Sequence, residues 1–356
     1  MRHLLDLQAQ LRTLGAAPVH EARVLRLWSR ALPQQHGRRR LEDFLPRTLR
    51  DALPVLTAEW AGLARLRSMH PAADGSARLL VTLADGQTVE AVLLPGRGPK
   101  AKAGLCVSSQ VGCAVGCRFC MTGVGGLARQ LGSAEIVAQV VLARTLRPVH
   151  KVVFMGMGEP AHNLDAVLDA ITLLGTHGGI GHKDLVFSTV GDERAFERLH
   201  ASVVKPALAL SLHTTQAALR EELLPRAPRW QPRELVERAL GYAQASGYPL
   251  QVQWTLLDGV NDGDDEVEML GAWLARRPAM VNLIPWNAVD GLPMRRPSPE
   301  RVVAMARALN ARGVLTRLRQ SAGQDVEGGC GQLRSREVQP LRVMRPARMP
   351  PTVTGS

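Results

Sequence analysis

Four of the five cysteines of this 356-residue chain lie between Cys106 and Cys120, and the fifth is Cys330. Cys113, Cys117 and Cys120 are spaced C-x3-C-x2-C. Three thiolates this close together on a glycine-containing loop can bind three corners of an iron–sulfur cubane and leave the fourth iron without a protein ligand. An open iron suits reactions with small molecules better than plain electron transfer, for which full cysteine ligation is usual. The spacing therefore predicts a catalytic [4Fe–4S] cluster.

Two other uses of these thiols stay open at this point. A disulfide among the three would be unusual in a chain without an export signal, because cytosolic thiols are kept reduced. A structural zinc site would call for a fourth Cys or His at short spacing. Against both, the aromatic Phe119 directly before Cys120 completes a pattern typical of radical S-adenosylmethionine (SAM) enzymes.

Neighbouring motifs extend this pattern along most of the chain. The stretch Cys-Val-Ser-Ser-Gln-Val-Gly-Cys, beginning at Cys106, resembles the cluster loop of the RlmN/Cfr family of radical SAM RNA methyltransferases. The resemblance covers residues 1 to about 335. Further matches to that family follow in order: Gly126-Leu-Ala-Arg129, Ala134-Glu-Ile136, Phe154-Met-Gly-Met-Gly-Glu-Pro160, Ala209-Leu-Ser-Leu-His213, Leu257-Asp-Gly-Val-Asn-Asp262, Ile284-Pro-Trp-Asn287 and Cys330-Gly-Gln-Leu333.

The resemblance implies a role for each remaining candidate residue. Cys330 would be methylated and carry the methyl group, and Cys106 would resolve the protein–RNA adduct by forming a disulfide with it. Glu90 would accept the proton from the substrate ring. Two SAM molecules would be used per turnover, one to methylate Cys330 and one to supply a 5′-deoxyadenosyl radical. The implied SAM-binding positions are Gly158, Glu159, Ser188, Ser211, Leu212 (backbone), His213 and Asn287.

The polar members of that set also have a physical rationale of their own. Glu159, Ser188, Ser211 and Asn287 each end or follow an apolar strand-like run. Ligands of parallel α/β folds bind at the carboxyl ends of strands. SAM presents an ammonium, ribose hydroxyls and an adenine edge, so a carboxylate can accept from the ammonium while serine and asparagine supply neutral hydrogen bonds. Each motif alone is equally compatible with an ordinary strand end.

Three of the implied catalytic residues have simple alternatives. Without the resemblance, Glu90 reads as an exposed glutamate of a β-hairpin. Cys106 and Cys330 read as packed or chance free thiols, although Cys330 stands in a Gly-Gly-Cys-Gly sequence whose backbone can move or pass close to a substrate.

Strand-like and helix-like segments alternate along the central part of the chain. Such alternation predicts a parallel sheet covered by helices. Six units indicate an α/β fold with a partial (β/α)6 barrel, which the family resemblance also implies. The strand runs of the six units fall near 105–109 and at 151–157, 185–190, 207–212, 250–257 and 280–286, and a last strand is predicted at 314–319. Helical patterns fall between the strands, for example at Ala134–Arg147, Leu164–Leu174, Glu234–Ala245, Glu266–Ala275 and Glu300–Ala311.

Three regions are predicted along the chain. Residues 1–95 form an accessory, RNA-binding unit of short amphipathic helices up to residue 53, followed by a β-hairpin that turns at Asp85-Gly86. Residues 96–333 form the radical SAM core and the carboxy-terminal cysteine loop. Residues 334–356 are rich in Arg and Pro without periodicity, which predicts a mobile tail.

The charge and the hydropathy of the sequence limit which binding partners and which cellular compartment are expected. Lys and Arg number 44 against 32 Asp and Glu, a formal charge of +12. This excess favours a polyanion such as RNA, although general solubility would also account for it. The candidate contacts are Arg38, Arg39, Arg40, Lys100 and Lys102. The lack of an 18-residue apolar run and of a signal peptide predicts a cytoplasmic protein without a membrane partner.

The sequence thus predicts an RNA methyltransferase that modifies an sp2 ring carbon of adenosine, C2 before C8, in 23S rRNA with tRNA as an additional target. An external electron donor such as a flavodoxin would reduce the cluster. The alternatives are a radical SAM enzyme with a non-RNA substrate and a cluster-bearing RNA-binding protein without catalysis. Two departures from the family motifs, Arg319-Gln-Ser-Ala-Gly323 and the shortened Phe187-Ser-Thr-Val-Gly191, bear on the substrate rather than on the reaction type.

Overall fold

The computed structural model describes residues 1–37, 40–96, 103–289 and 291–334. Of the predicted RNA contacts, Arg38, Arg39, Lys100 and Lys102 lie outside these ranges, as does the tail from residue 335 onward. Arg40 is described and exposed.

Three helices open the chain: α1 (Leu4–Thr13), α2 (Pro18–Ser29) and α3 (Arg47–Ala61). Leu4, Leu7 and Leu11 of α1 are buried because they recur on one helical face. Leu5 lies outside that face and is 65% exposed. The amino-terminal helices were predicted to end at residue 53, but helix α3 continues beyond this residue and contains Pro54.

Ten strands form one continuous sheet in the order β1-β2-β3-β4-β7-β8-β9-β10-β11-β12. Their bounds are β1 (Ala64–Pro71), β2 (Ala77–Leu83), β3 (Thr88–Leu94), β4 (Ala103–Cys106), β7 (Val149–Phe154), β8 (Leu185–Thr189), β9 (Ala207–Ser211), β10 (Leu250–Leu256), β11 (Ala279–Pro285) and β12 (Leu315–Leu318). From β1 to β4 neighbouring strands are antiparallel, and from β4 to β12 they are parallel. The carboxyl ends of the parallel strands therefore share one edge.

The predicted α/β class with a partial barrel is confirmed, and each predicted strand run overlaps a parallel strand, the run near 105–109 by two residues only. The hairpin at Asp85-Gly86 is also present, with Thr82 opposite Thr88. Strand β3 pairs with β4 through Leu93 and Leu105, so the hairpin strands and the parallel strands share one sheet. The connecting helices are α4 (Ser133–Leu146), α5 (Leu164–Thr176), α6 (Glu193–Ala201), α7 (Ala217–Leu223), α8 (Pro232–Ser246), α9 (Asp264–Leu274) and α10 (Pro299–Ala311).

One feature at the site was not predicted: a short hairpin of β5 (Gln110–Gly112) and β6 (Leu127–Gln130) flanks the cysteine loop. Helices α6 and α7 follow β8 and β9, where helices were expected between the strands but no bounds were predicted. No helix in the described part of the chain has the length and apolar run needed to cross a bilayer.

Candidate active site

The three cysteines of the C-x3-C-x2-C motif lie in the loop between β5 and β6. Cys113 directly follows β5, and its N–H donates to the Gly126 carbonyl at 2.9 Å, which closes the base of the loop. The Cys120 N–H donates to the Cys117 carbonyl at 3.1 Å, so these two residues form a tight turn. The fold therefore presents the three thiols from one short, hydrogen-bonded loop.

The environment of these thiols opposes their ionisation. Burial raises the pKa of Cys113 to about 12. Burial raises the pKa of Cys117 well above its usual value, and the neighbouring Cys120 and Cys113 thiols raise it further. The pocket around them is apolar and is formed by Val115, Phe119, Val190, Leu223, Leu224, Leu257 and Trp286. Several thiolates in one apolar pocket would repel one another, so the thiols are expected to lose their protons when a cation such as iron binds them.

Glu159 lies behind the cluster loop and is buried. Its carboxylate accepts the N–H of Ala161 at 3.1 Å and the N–H of Val190 at 3.2 Å. Burial raises the pKa of Glu159 to about 7, although these hydrogen bonds oppose the shift. A ligand ammonium would supply the counter-charge that the buried carboxylate needs.

Gly158 is required by packing. Its φ is +105°, and a Cβ atom there would meet the Gln110 Cβ at 2.7 Å. Gln110 in turn accepts the Glu159 N–H at 2.7 Å through its side-chain oxygen. The glycine therefore lets the β5 hairpin close on the backbone that carries Glu159.

His213 is held as a neutral imidazole just after β9. Its Nδ1 accepts the Thr255 N–H at 3.0 Å, which leaves the proton on Nε2. Burial, followed by the charge of Arg220, lowers the pKa of His213 to about 3. The ring meets Phe119 of the cluster loop edge-on, with centroids 4.8 Å apart. The φ of +66° is unusual for a residue with a side chain and is typical of functional sites.

The predicted serines lie at neighbouring strand ends. Ser211 is the last residue of β9, and Ser188 is the penultimate residue of β8. Neither hydroxyl hydrogen-bonds another described residue, so both are available to a ligand. Leu212 is fully buried and its N–H donates to the Gln253 carbonyl at 3.2 Å, so its backbone donor is already used.

Asn287 joins the strand ends to the segment 319–334, named here the Cys330 loop. Its Nδ2 donates to the Cys330 carbonyl and to the Ser321 Oγ, each at 2.9 Å. Its Oδ1 is buried and finds no partner among the described residues. Since a buried orphan acceptor is costly, this oxygen is placed to accept from a ligand such as a ribose hydroxyl or an adenine amine.

The Cys330 loop packs on the cluster loop. The Met121 N–H donates to the Gly331 carbonyl at 2.8 Å. Gly331 has a φ of +84°, and a Cβ there would approach the Phe119 carbonyl to 3.1 Å, so a side chain would crowd this contact. The Trp286 indole donates to the same carbonyl at 3.0 Å. Cys330 therefore stands next to the C-x3-C-x2-C loop.

Cys330 is a solvent-exposed residue. Desolvation by the surrounding protein raises the pKa of its thiol, whereas a hydrogen bond from the Ser321 hydroxyl lowers it. Cys106, the last residue of β4, is half-buried. Burial raises its pKa, and the proximity of Cys330 adds to the effect. The structure thus brings the two cysteines within electrostatic reach as free thiols.

Glu90 lies in the middle of β3 with no exposed surface. It forms an ion pair with Arg78 of β2, and its Oε2 accepts the Arg334 N–H at 2.9 Å. The reading of Glu90 as an exposed hairpin glutamate is therefore wrong. The residue faces the sheet interior and contacts the end of the Cys330 loop.

Comparison with known proteins places this arrangement in a family. The Radical SAM superfamily pattern matches residues 107–270. A "Probable RNA methyltransferase" of Methylibium petroleiphilum is 70% identical over 331 residues, 93% of this chain and 92% of its own length. One of the same name from Azoarcus sp. is 65% identical over 98% of this chain and 99% of its own. The crystal structure of a radical SAM methyltransferase from Sphaerobacter thermophilus is 33% identical with a TM-score of 0.78, covering 94% of this chain and 98% of that one.

The chain belongs to the radical SAM methyltransferases.

Radical SAM methyltransferases use a [4Fe–4S] cluster and SAM, and the residues present fit both groups. The thiols of Cys113, Cys117 and Cys120 share one apolar pocket. Among the described residues, no three His, Cys, Asp or Glu side chains are placed to share a single metal ion. In a cubane cluster each cysteine binds a different iron, so the three cysteine sulfurs lie farther apart than the ligands of a single metal ion would. The buried Asn287 Oδ1 and the buried Glu159 carboxylate are suited to SAM.

Three residues of this radical SAM methyltransferase site were not found from the sequence. Ser321 looked like part of a departure from the family motif, yet its hydroxyl meets both Asn287 and Cys330. Arg78 alternates with apolar residues in β2 and reads as outward-facing, yet it is buried against Glu90. Arg220 is flanked by Glu221 and Glu222 and reads as part of a solvated helix face, yet it is buried.

Proposed function

We propose that this radical SAM methyltransferase is an RNA methyltransferase of the RlmN/Cfr type, which methylates C2 of an adenosine through an S-methylated Cys330. The observation that carries the proposal is the docking of the Cys330 loop on the cluster loop through the Met121–Gly331 and Asn287–Cys330 hydrogen bonds. A cysteine that only carried the methyl group elsewhere would not need to lie beside the cluster. The strand-end residues Gly158, Glu159, Ser188, Ser211, Leu212, His213 and Asn287 are proposed to hold SAM.

When bound, the cluster and two SAM molecules per turnover supply the methyl group and the 5′-deoxyadenosyl radical. Cys330 receives the methyl group on its sulfur, and the Ser321 hydroxyl and Asn287 amide hold this residue in place. Ring carbon C2 of adenine has no nucleophilic lone pair, so it cannot attack a sulfonium methyl directly. A protein-bound methyl carrier next to the cluster answers that chemical difficulty.

Glu90 is proposed to accept the ring proton, and Cys106 to release the product. Glu90 has the Arg78 guanidinium as its counter-charge and lies at the end of the Cys330 loop. Cys106 would attack the Cys330 sulfur as a thiolate, so that a disulfide forms as the bond between that sulfur and the transferred carbon breaks. The transferred carbon would keep the bonding electron pair and take up a proton to become the methyl group, and the unpaired electron left by the radical addition would return to the cluster. The electrostatic influence of Cys330 on Cys106 supports this pairing. Burial raises the pKa of Cys106, so its thiol would have to lose a proton before it could attack.

Support for RNA comes from the names of the relatives and from the charge of +12. We propose 23S rRNA with tRNA as an additional target, a cytoplasmic setting, and an external electron donor of the flavodoxin class. The unit of residues 1–95 is proposed to contribute to RNA binding, with Arg40 as its described candidate contact.

Nucleoside mass spectrometry tests the proposal. rRNA and tRNA from a strain lacking the gene should lack one methyladenosine that the parent contains, and C2-methyladenosine is the expected product. The wild-type gene should restore the modification, whereas the Cys330→Ala gene should not. Identical nucleoside profiles in the deletion strain and the parent would reject RNA as the substrate.

A further inference from the structure

Arg220 is a buried cation at the site that no step of the proposed reaction uses. It lies in α7 and is 3% exposed. Its guanidinium donates to two backbone carbonyls, that of Val190 through Nη2 and that of Pro228 through Nη1 at 3.3 Å. Val190 is also the residue whose N–H binds Glu159. Arg220 therefore braces the loop that follows β8, directly behind the cluster pocket.

The hydrogen bonds of Arg220 leave its charge without a compensating anion. Its buried Nε has no hydrogen-bond partner among the described residues. Burial lowers the pKa of Arg220, whereas negative charge on Cys117 and, after it, on Glu159 would raise it. Carbonyl groups solvate a guanidinium but do not neutralise it, and an uncompensated buried charge is strongly destabilising. Because Val190 belongs to the apolar pocket that holds the three cysteines, the position calls for an anion in that pocket.

We propose that Arg220 is the built-in counter-cation of the [4Fe–4S] cluster and stabilises its reduced state. Three thiolates and an oxidised cluster carry one net negative charge, and one-electron reduction doubles it. A fixed cation bonded to the wall of the cluster pocket favours the more negative state, because net charge and surroundings set the potential of such clusters. The electron comes from the external one-electron donor, which is oxidised as the cluster is reduced. This inference rests on cluster binding and not on the identity of the methyl acceptor.

Arg144 is a matched control for the possibility that Arg220 has a purely structural role. Arg144 in α4 also donates only to backbone carbonyls, to Ser29 at 2.5 Å and to Val149 at 3.1 and 3.3 Å. Burial lowers the pKa of both Arg144 and Arg220 to about 10. Arg144 contacts the amino-terminal helices and has no influence from a cysteine or carboxylate. The two arginines therefore share the bonding type and the direction of the pKa shift, although Arg220 is buried and Arg144 is half-buried. They differ in that Val190, a partner of Arg220, belongs to the apolar pocket around the cysteines, whereas the partners of Arg144 do not.

The test is a spectroelectrochemical titration of the full-length, cluster-loaded protein with Arg220→Met, Arg220→Lys and Arg144→Met variants. Iron and sulfide content and circular dichroism are measured on each sample. At a fixed applied potential, Arg220→Met should lower the ratio of reduced to oxidised cluster about tenfold, equivalent to 59 mV for one electron. Arg220→Lys keeps the charge and should recover most of that loss. Arg144→Met should match the wild type.

The remaining outcomes also decide the question. If Arg220→Met is folded but takes up less iron, and Arg220→Lys restores iron uptake, the counter-cation role is supported. A wild-type potential in fully loaded Arg220→Met protein would overturn it. An unchanged potential with a weaker SAM affinity would equally overturn it, because Arg220 would then serve the SAM carboxylate. Equal shifts of the cluster potential in Arg220→Met and Arg144→Met would overturn the proposal, because the effect would then come from a general loss of packing.

Discussion

The hold of Asn287 on the Cys330 loop can be tested by replacing it with alanine. Asn287 is buried, and its amide donates one hydrogen bond to the Cys330 carbonyl and one to Ser321 Oγ, each at 2.9 Å. The Asn287→Ala change removes both bonds and leaves the other anchors of the loop in place. Among these anchors are the Met121–Gly331 bond and the Arg334–Glu90 bond.

The expected size follows from the number of bonds lost. A typical intramolecular hydrogen bond contributes ~0.5–1.5 kcal/mol net, so two contribute ~1–3 kcal/mol. That free energy corresponds to a change of about 5–150-fold in the equilibrium between docked and undocked loop. Ser321→Ala removes one of the two Asn287 bonds, together with the Ser321–Cys330 bond inside the loop, and should change the docking equilibrium by at least about the square root of that factor.

Amide hydrogen exchange of the full-length protein measures this equilibrium. Peptides covering residues 329–334 and residues 119–123 should lose protection together in Asn287→Ala, because the Met121 N–H is protected by the Gly331 carbonyl. Asn310→Ala is the matched control, since Asn310 donates to Ala306 at 2.8 Å and accepts from Thr316 at 3.1 Å in a different part of the fold. Unchanged protection of both peptides in Asn287→Ala would refute the reasoning.

Three further outcomes are expected. Because burial raises the pKa of Glu159 to about 7 and an ammonium needs the ionised carboxylate, SAM affinity should rise between pH 6 and pH 8 in the wild type. In equilibrium dialysis, the SAM affinity of the Glu159→Gln variant should not show this rise with pH. The same dependence of SAM affinity on pH in both proteins would contradict the role of Glu159. Arg78→Met leaves Glu90 buried without its counter-charge and should lower the free energy of unfolding by ~3–5 kcal/mol in urea titrations. The double variant Arg78→Met/Glu90→Gln should recover much of the loss, and a double variant no more stable than Arg78→Met would count against the pair. RNA affinity should fall linearly in log–log plots against salt, and neutralising Arg38, Arg39, Arg40, Lys100 and Lys102 should flatten the slope. An unchanged slope would move the RNA contact elsewhere.

The strands and the longer helices could be predicted because their signals are local. The Asp85-Gly86 turn requires a hairpin whatever surrounds it. The short apolar runs in β7, β8, β9 and β11 are typical of a parallel sheet that is covered on both faces. The end of α3 was missed because a proline usually stops a helix, whereas Pro54 lies inside this one.

The site could be predicted only where spacing itself carries the chemistry, as in the C-x3-C-x2-C motif. Arg220 shows why the rest could not be found. Its neighbours Glu221 and Glu222 are exposed, so the local sequence has the composition of a solvated helix. Burial of Arg220 is decided by the packing of α7 on the loop after β8, which is a tertiary contact. Ser321 was misjudged for a related reason, because its importance comes from Asn287, which is distant in sequence.

The central claim is that Cys330 carries the methyl group to the substrate. It is tested most directly with the Cys106→Ala protein, RNA and SAM bearing a deuterated methyl group. Mass spectrometry of the digested reaction should find Cys330 joined to an adenosine through the labelled carbon, because the thiol that resolves the adduct is missing. Release of labelled, methylated RNA at the wild-type rate, without any label on Cys330, would contradict the account.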